Sequence, residues 1–107
     1  MGNLTRGTTP TITYTFRIVD PADIVVAALT IKQGGETLIE RDLDTANVVS
    51  TEDRRALEWT LTQAETLALV TRPNAEMQMR YKLLDGSAHA TAVTTFPPGA
   101  ILKDGEI

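Results

Sequence analysis

The sequence predicts an all-β fold: a single antiparallel β-sandwich of immunoglobulin-like architecture, with about seven strands and one short helix near residues 63–70. Three observations predict it. Apolar and polar residues alternate with period two in several short segments. Glycine-rich or Asp-Gly turns join those segments. No strand–helix–strand rhythm of the kind that builds a parallel sheet is present. A small barrel is the second architecture the pattern allows. The cysteine pair of immunoglobulin domains is missing, so the likeness is one of architecture only.

The first strand follows Pro10. Ile12, Tyr14, Phe16 and Ile18 share one face, and Thr11, Thr13, Thr15 and Arg17 share the other. A phosphate-binding loop would need converging glycines, a lysine and a following helix, and "RGTT" offers one glycine that leads into a strand. Asp20-Pro21 breaks the run. Ala27, Leu29 and Ile31 then alternate with Ala28, Thr30 and Lys32. Gly34-Gly35 supplies a type I′ turn, and Thr37 to Leu43 returns. Val48-Val49 is a short strand and Ser50 to Arg55 a polar loop, with a helix over Thr51 to Glu58 as the weaker rival.

Leu57, Trp59 and Leu61 form the next inward row. Thr62 and Glu65 have capping-box spacing, which predicts a helix from Gln63 to about Val70 anchored by Leu67, with Pro73 closing the region. Met77, Met79, Tyr81 and Leu83 alternate with Gln78, Arg80 and Lys82. Asp85-Gly86 turns the chain, and Ala88 to Phe96 returns, its small Ala88, Ala90 and Ala92 suggesting a bulky neighbour. Pro97-Pro98-Gly99 stops the sheet. The domain division is therefore a sandwich over residues 1–96 and a C-terminal arm over 97–107.

The chain's 107 residues suffice for one core. Ten basic against fourteen acidic residues, unsegregated, give a net charge of −4 and no basic footprint for nucleic acid. The longest apolar run, Ile24 to Leu29, is too short to span a membrane as a helix. No signal-peptide pattern opens the sequence, which predicts a cytosolic protein where it is made. Absence of cysteine excludes disulfides and thiolate chemistry.

Each candidate for chemistry has a plainer reading. His89 is the single histidine, and a surface imidazole on a hairpin is the default for it. "DLDTAN", Asp42 to Asn47, has oxygen ligands at alternate positions but lacks the glycine and glutamate of an EF-hand, so a turn is favoured. Glu52 to Arg55 reads as a solvated loop before a docking patch. Trp59 could stack on a sugar, yet Leu57 and Leu61 on its face place it in the core. Asn3-Leu4-Thr5 matches a glycosylation acceptor that matters only in a secreted chain. No catalytic or metal constellation emerges, and no cofactor is implied. In the arm, Ile101, Leu102 and Ile107 must dock on the domain itself, the plainer reading, or on a neighbour by strand addition.

Three stretches taken together, "LTRGTTPTITYTF", "WTLTQAETLAL" and "ILKDGEI", resemble small prophage-encoded proteins of Gram-positive bacteria. They are similar to the N-terminal domain of phage baseplate upper proteins, a β-sandwich assembly module. The order of elements matches from about Leu4 to Ile107, although those proteins continue into further domains. The resemblance implies a non-enzymatic structural or adaptor protein of a phage tail or baseplate. Its partners would be other tail or baseplate proteins and copies of itself, with no nucleic acid and no membrane. It would be found in the host cytoplasm during assembly, and the virion is its other expected place. The expected contact residues are Arg6, Ile101, Leu102 and Ile107. A carbohydrate-binding module is the alternative, and an enzyme the least favoured.

Overall fold

A computed structural model describes residues 4–103 and 105–107. Asn3 of the acceptor pattern and Asp104 of the arm lie outside the described residues. The strands are β1 (Thr11–Thr15), β2 (Ile24–Gln33), β3 (Glu36–Asp42), β4 (Val48–Ser50), β5 (Arg55–Thr60), β6 (Ala75–Leu83), β7 (Ala88–Ala90) and β8 (Thr94–Phe96). Among the described residues the one α-helix is α1 (Gln63–Leu67), and short 3-10 turns occupy Pro21–Asp23 and Thr45–Asn47. Two antiparallel sheets result, ordered β1-β5-β4 and β3-β2-β6-β7, with β8 also paired to β6. The chain is an all-β, sandwich-like fold.

Parity explains the core. Leu29, Ile31 and Ile39 from β2 and β3, Met77 and Met79 from β6, and Leu57 and Trp59 from β5 are all buried. The predicted alternation places Leu29, Ile31, Met77, Met79, Leu57 and Trp59 between the sheets, and Ile39 joins them from the return strand. Trp59 is fully buried and its Nε1 donates to the Asp42 carbonyl at 3.1 Å, joining β5 to the end of β3. Phe16 meets Tyr81 edge-on at 5.4 Å between centroids. Tyr14 Oη is buried near Thr91 without a well-aligned hydrogen bond, and burial pushes its pKa upward against the opposing pull of Thr91. The hairpin turn at Gly34-Gly35 has both φ values positive, +63° and +79°, as a type I′ turn demands.

Several expectations need correction. The first strand stops at Thr15, and Ile18 is 93% exposed. The register Thr15↔Ala56 explains why: three residues further, Ile18 would oppose Asp53, which lies in the polar loop before β5. The last ladder bond is Phe16 N–H to the Arg55 carbonyl at 2.8 Å. The helix ends at Leu67, which is only half-buried, whereas Thr66 and Leu69 are fully buried and face the core. The Thr66 hydroxyl is satisfied there by donating to the Thr8 carbonyl at 2.8 Å.

The predicted return strand is two strands. β6 pairs Arg80 with Ala90 and Met77 with Thr94, so the return side carries one more residue over the same span. Thr91 holds this break together. Its N–H donates to the Met79 carbonyl at 2.9 Å, its hydroxyl accepts from Met79 N–H at 3.0 Å, and its carbonyl accepts from Gln78 Nε2 at 2.9 Å. Ala88 and Ala90 lie on the solvent face of the sheet, exposed, with Lys82 and Arg80 as ladder partners instead of a bulky neighbour.

Candidate functional site

The three stretches that carry the resemblance are far apart in sequence and meet at one end of the sandwich. The meeting point starts from α1. Thr62 Oγ1 accepts from Glu65 N–H at 3.1 Å, and Glu65 Oε1 accepts from Thr62 N–H at 2.9 Å, the reciprocal bonds of the predicted capping box. Glu65 Oε1 also accepts from Arg41 Nη1 at 2.8 Å, which ties the helix to β3. At the other helix end, Arg6 reaches across the N-terminal segment. Its Nε donates to the Leu69 carbonyl and its Nη2 to the Leu67 carbonyl at 3.2 Å. A cation on the last carbonyls suits the negative end of a helix.

The arm closes over this arrangement. Thr5 and Gly99 form a parallel bridge, with Arg6 N–H donating to Gly99 O at 3.0 Å and Gly99 N–H to Leu4 O at 2.8 Å. A Cβ on Gly99 would lie 2.8 Å from Thr5 Oγ1 and 3.3 Å from Thr5 Cα, so the approach requires glycine. Around Gly7 the Ile101 and Leu67 side chains converge, 3.1 and 3.3 Å from where its Cβ would stand. Gln63 then grips the chain end. Its Oε1 accepts from Ile107 N–H at 2.8 Å and its Nε2 donates to Ile107 O at 3.1 Å.

The arm therefore packs on its own domain. Of the four expected contact residues, Arg6 and Ile101 are brought together here and engaged within the chain. Leu102, 109% exposed, and Ile107, 89% exposed, project their side chains into solvent from the same clasp.

The remaining candidates fall apart or stay local. In Asp42 to Asn47, Asp44 N–H donates to Asn47 Oδ1 at 2.9 Å, Asn47 N–H to Asp44 O at 2.9 Å, and Asn47 Nδ2 to Glu58 O at 2.8 Å, the bonds of a turn. Among the described residues no group of three or more His, Cys, Asp or Glu could hold a metal ion. Arg54 pairs with Glu58 at 3.2 Å on the exposed loop side.

His89 is part of a hairpin chain that sequence reading did not assemble. Ser87 Oγ donates to Asp85 Oδ1 at 2.6 Å and lies 3.0 Å from His89 Nε2, while the ring stacks on Tyr81 with centroids 5.2 Å apart. The Ser87 bonds, side chain first and backbone second, hold the Asp85 carboxyl below its ordinary pKa. Ser87 has one proton and gives it to the carboxylate, so the imidazole faces a hydroxyl oxygen that accepts. A nucleophile needs the opposite polarity, with its proton directed at the base. The five Phe, Tyr and Trp side chains are buried or half-buried.

Among the described residues no helix is long and apolar enough to cross a membrane. No protein-family model, no curated protein and no solved structure matches the chain.

Proposed function

We propose that this chain is a non-enzymatic structural or adaptor protein of a phage or prophage particle, associated with the tail or baseplate and acting through protein–protein contacts. The observation that carries the reading is the clasp. The stretches by which the sequence resembles baseplate assembly modules are the ones that build it: Arg6 on the Leu67 and Leu69 carbonyls, Ile101 against Gly7, and Gln63 on Ile107. With the arm docked on its own domain, the contacts left to a neighbouring particle protein are the exposed side chains of Leu102 and Ile107. Preorganising such anchors lowers the ordering cost of docking.

The carbohydrate-module alternative draws nothing from the buried and half-buried aromatics. The test is to induce the producing bacterium, purify particles and look for the chain by mass spectrometry. The expected result is its presence in the particle fraction or its co-isolation with tail proteins. Recovery only as free protein, bound to none of them, would sink the reading. Replacing Leu102 and Ile107 with Ser should weaken co-isolation at least tenfold without altering the fold.

A further inference from the structure

The outer face of the larger sheet is a feature of the described residues that the clasp does not use. Its floor is β2, where Val26, Ala28 and Thr30 point outward. One wall is β3, whose outward residues are Glu40 and Asp42, both exposed. The other wall is β6, whose outward residues include Arg80 and Lys82, both exposed. The register aligns them in rows: Asp42, Ala28 and Arg80 across one, Glu40, Thr30 and Gln78 across the next, and Val26 beside Lys82. Val26, Ala28, Thr30, Glu40, Arg80 and Lys82 are among the residues lining a shallow trough of about 330 Å³, and Asp42 stands on β3 just beyond its lining. The acidic and basic walls stand two strand spacings apart, roughly 9–10 Å. No ion pair joins them among the described residues.

We propose that this trough is a self-docking surface and that its occupant is the same trough of a second copy of this chain, related by a two-fold axis running along β2. This rests on the assembly reading above and names its homotypic contact. The symmetry follows from the charges. A two-fold parallel to the strands exchanges the left and right walls, so Glu40 and Asp42 of each copy lie over Arg80 and Lys82 of the other. A two-fold across the strands would set the acidic wall on the acidic wall and the basic on the basic, which repels. The floor suits close approach, because Ala28 and Thr30 are small and Val26 is 57% exposed. Lys32, further along the axis strand, brings its counter-charge with it, since its ladder partner on β6 is Glu76.

The face is modest. Four strands with ten residues in the longest span roughly 15–20 Å by 33 Å, or about 500–650 Å² per copy. That sits at the lower limit for a specific interface, so the dimer forms at high protein concentration or where an assembly holds copies side by side.

The test is sedimentation velocity on the full chain up to about 0.5 mM. Three samples are compared: wild type, the Arg80→Glu/Lys82→Glu variant, and the Glu40→Lys/Asp42→Lys variant. Wild type should approach twice its 11.6 kDa mass with rising concentration. Each variant alone should remain a monomer over a range at least tenfold higher. An equimolar mixture of the two variants should recover the dimer, which also shows that both are folded. A wild type that is monomeric throughout overturns this face, while the assembly reading still answers to the particle experiment. A wild type and variants that dimerise equally place self-association elsewhere, which removes this face and leaves that reading standing. A monomer whose Ala28 and Thr30 amide resonances shift with a glycan gives the trough another occupant and overturns the proposal.

Discussion

β2 and β6 present two faces built on the same backbone hydrogen bonds, and the faces differ in everything their side chains meet. Inward, Leu29, Ile31, Met77 and Met79 have at most 2% of their surface exposed. Outward, Ala28 and Thr30 are half-buried while Arg80 and Lys82 are exposed. One residue step along the strand thus separates a position where every methylene has partners from one where charge faces water. Stability is concentrated on the first face. The second carries less of that burial, so substitutions there should cost the sheet little.

The strongest test of that contrast is on the inner side. Trp59→Ala should cost about 3–5 kcal/mol, from the lost burial and the cavity it leaves. The Asp42 carbonyl also loses its indole donor. Arg80→Ala, on the opposite face, should stay within about 0.5 kcal/mol of wild type. Urea denaturation of the two variants side by side decides it. Similar midpoint shifts would mean that the outer face also supports the fold.

Gln33 sharpens the comparison, because it is polar and yet inward, with 6% exposure. Its Oε1 accepts from Val70 N–H at 2.8 Å, and its Nε2 donates to Val70 O at 2.7 Å and to Pro73 O at 2.6 Å. It supplies three hydrogen bonds to an irregular segment between α1 and β6. Gln33→Leu keeps the bulk and strips those bonds, at a cost of about 1–3 kcal/mol. Protease cleavage should then concentrate between residues 68 and 74. Unchanged denaturation and cleavage would show that water replaces the amide at no cost.

Much of this was legible in the sequence, and the illegible parts share a cause. Parity identified Met77, Met79, Leu57 and Trp59 as inward because period two is a property of one strand. Thr62 and Glu65 announced the helix start because both partners of a capping box lie within one turn. Nothing local marks Gln33 as inward, since its partners lie 37 and 40 residues away. Ile18 kept the inward parity but lost its ladder partner, which only the β1–β5 register reveals. The break at Thr91 depends on a side chain bonding the neighbouring strand. Arg6, Ile101, Leu102 and Ile107 were singled out as contacts, yet the sequence did not separate the two held in the clasp from the two left outside. The trough was least legible, because Asp42, Ala28 and Arg80 become neighbours only after three strands have paired.

A smaller effect belongs to the clasp end. Thr62→Ala removes the hydroxyl that accepts from Glu65 N–H and should cost about 1 kcal/mol. Thr62→Ser keeps the cap and should recover nearly all of it. Because Gln63 lies next to the cap and holds Ile107, the Ala variant should also speed amide exchange at Ile107. Loss of stability without faster exchange there would separate the helix start from the arm.

The finest discrimination comes from pH, since the two kinds of position shift their ionisable groups in opposite directions. Inward, burial raises the Tyr14 pKa, with Thr91 acting against it. A raised folded pKa contributes stability fully below the ordinary tyrosine value near 10 and loses it as pH climbs through the folded value. Outward, three carboxyls are lowered by hydrogen bonds: Asp20 by Ala22 N–H and then Ser50, Glu58 by Thr13 and then Arg54, and Asp85 by the Ser87 side chain and then its backbone N–H. Lowered folded values give the opposite sign. Their contribution is complete above the ordinary carboxylate range and disappears as pH falls through the folded values. These shifts give stability an acid limb from three surface carboxyls and an alkaline limb from one inward phenol. Tyr14→Phe should flatten the alkaline limb and leave the acid limb in place, and Ser87→Ala should soften the acid limb alone. If either variant moved both limbs, the two faces would be coupled through the fold, and their separation into a stabilising side and a permissive side would fail.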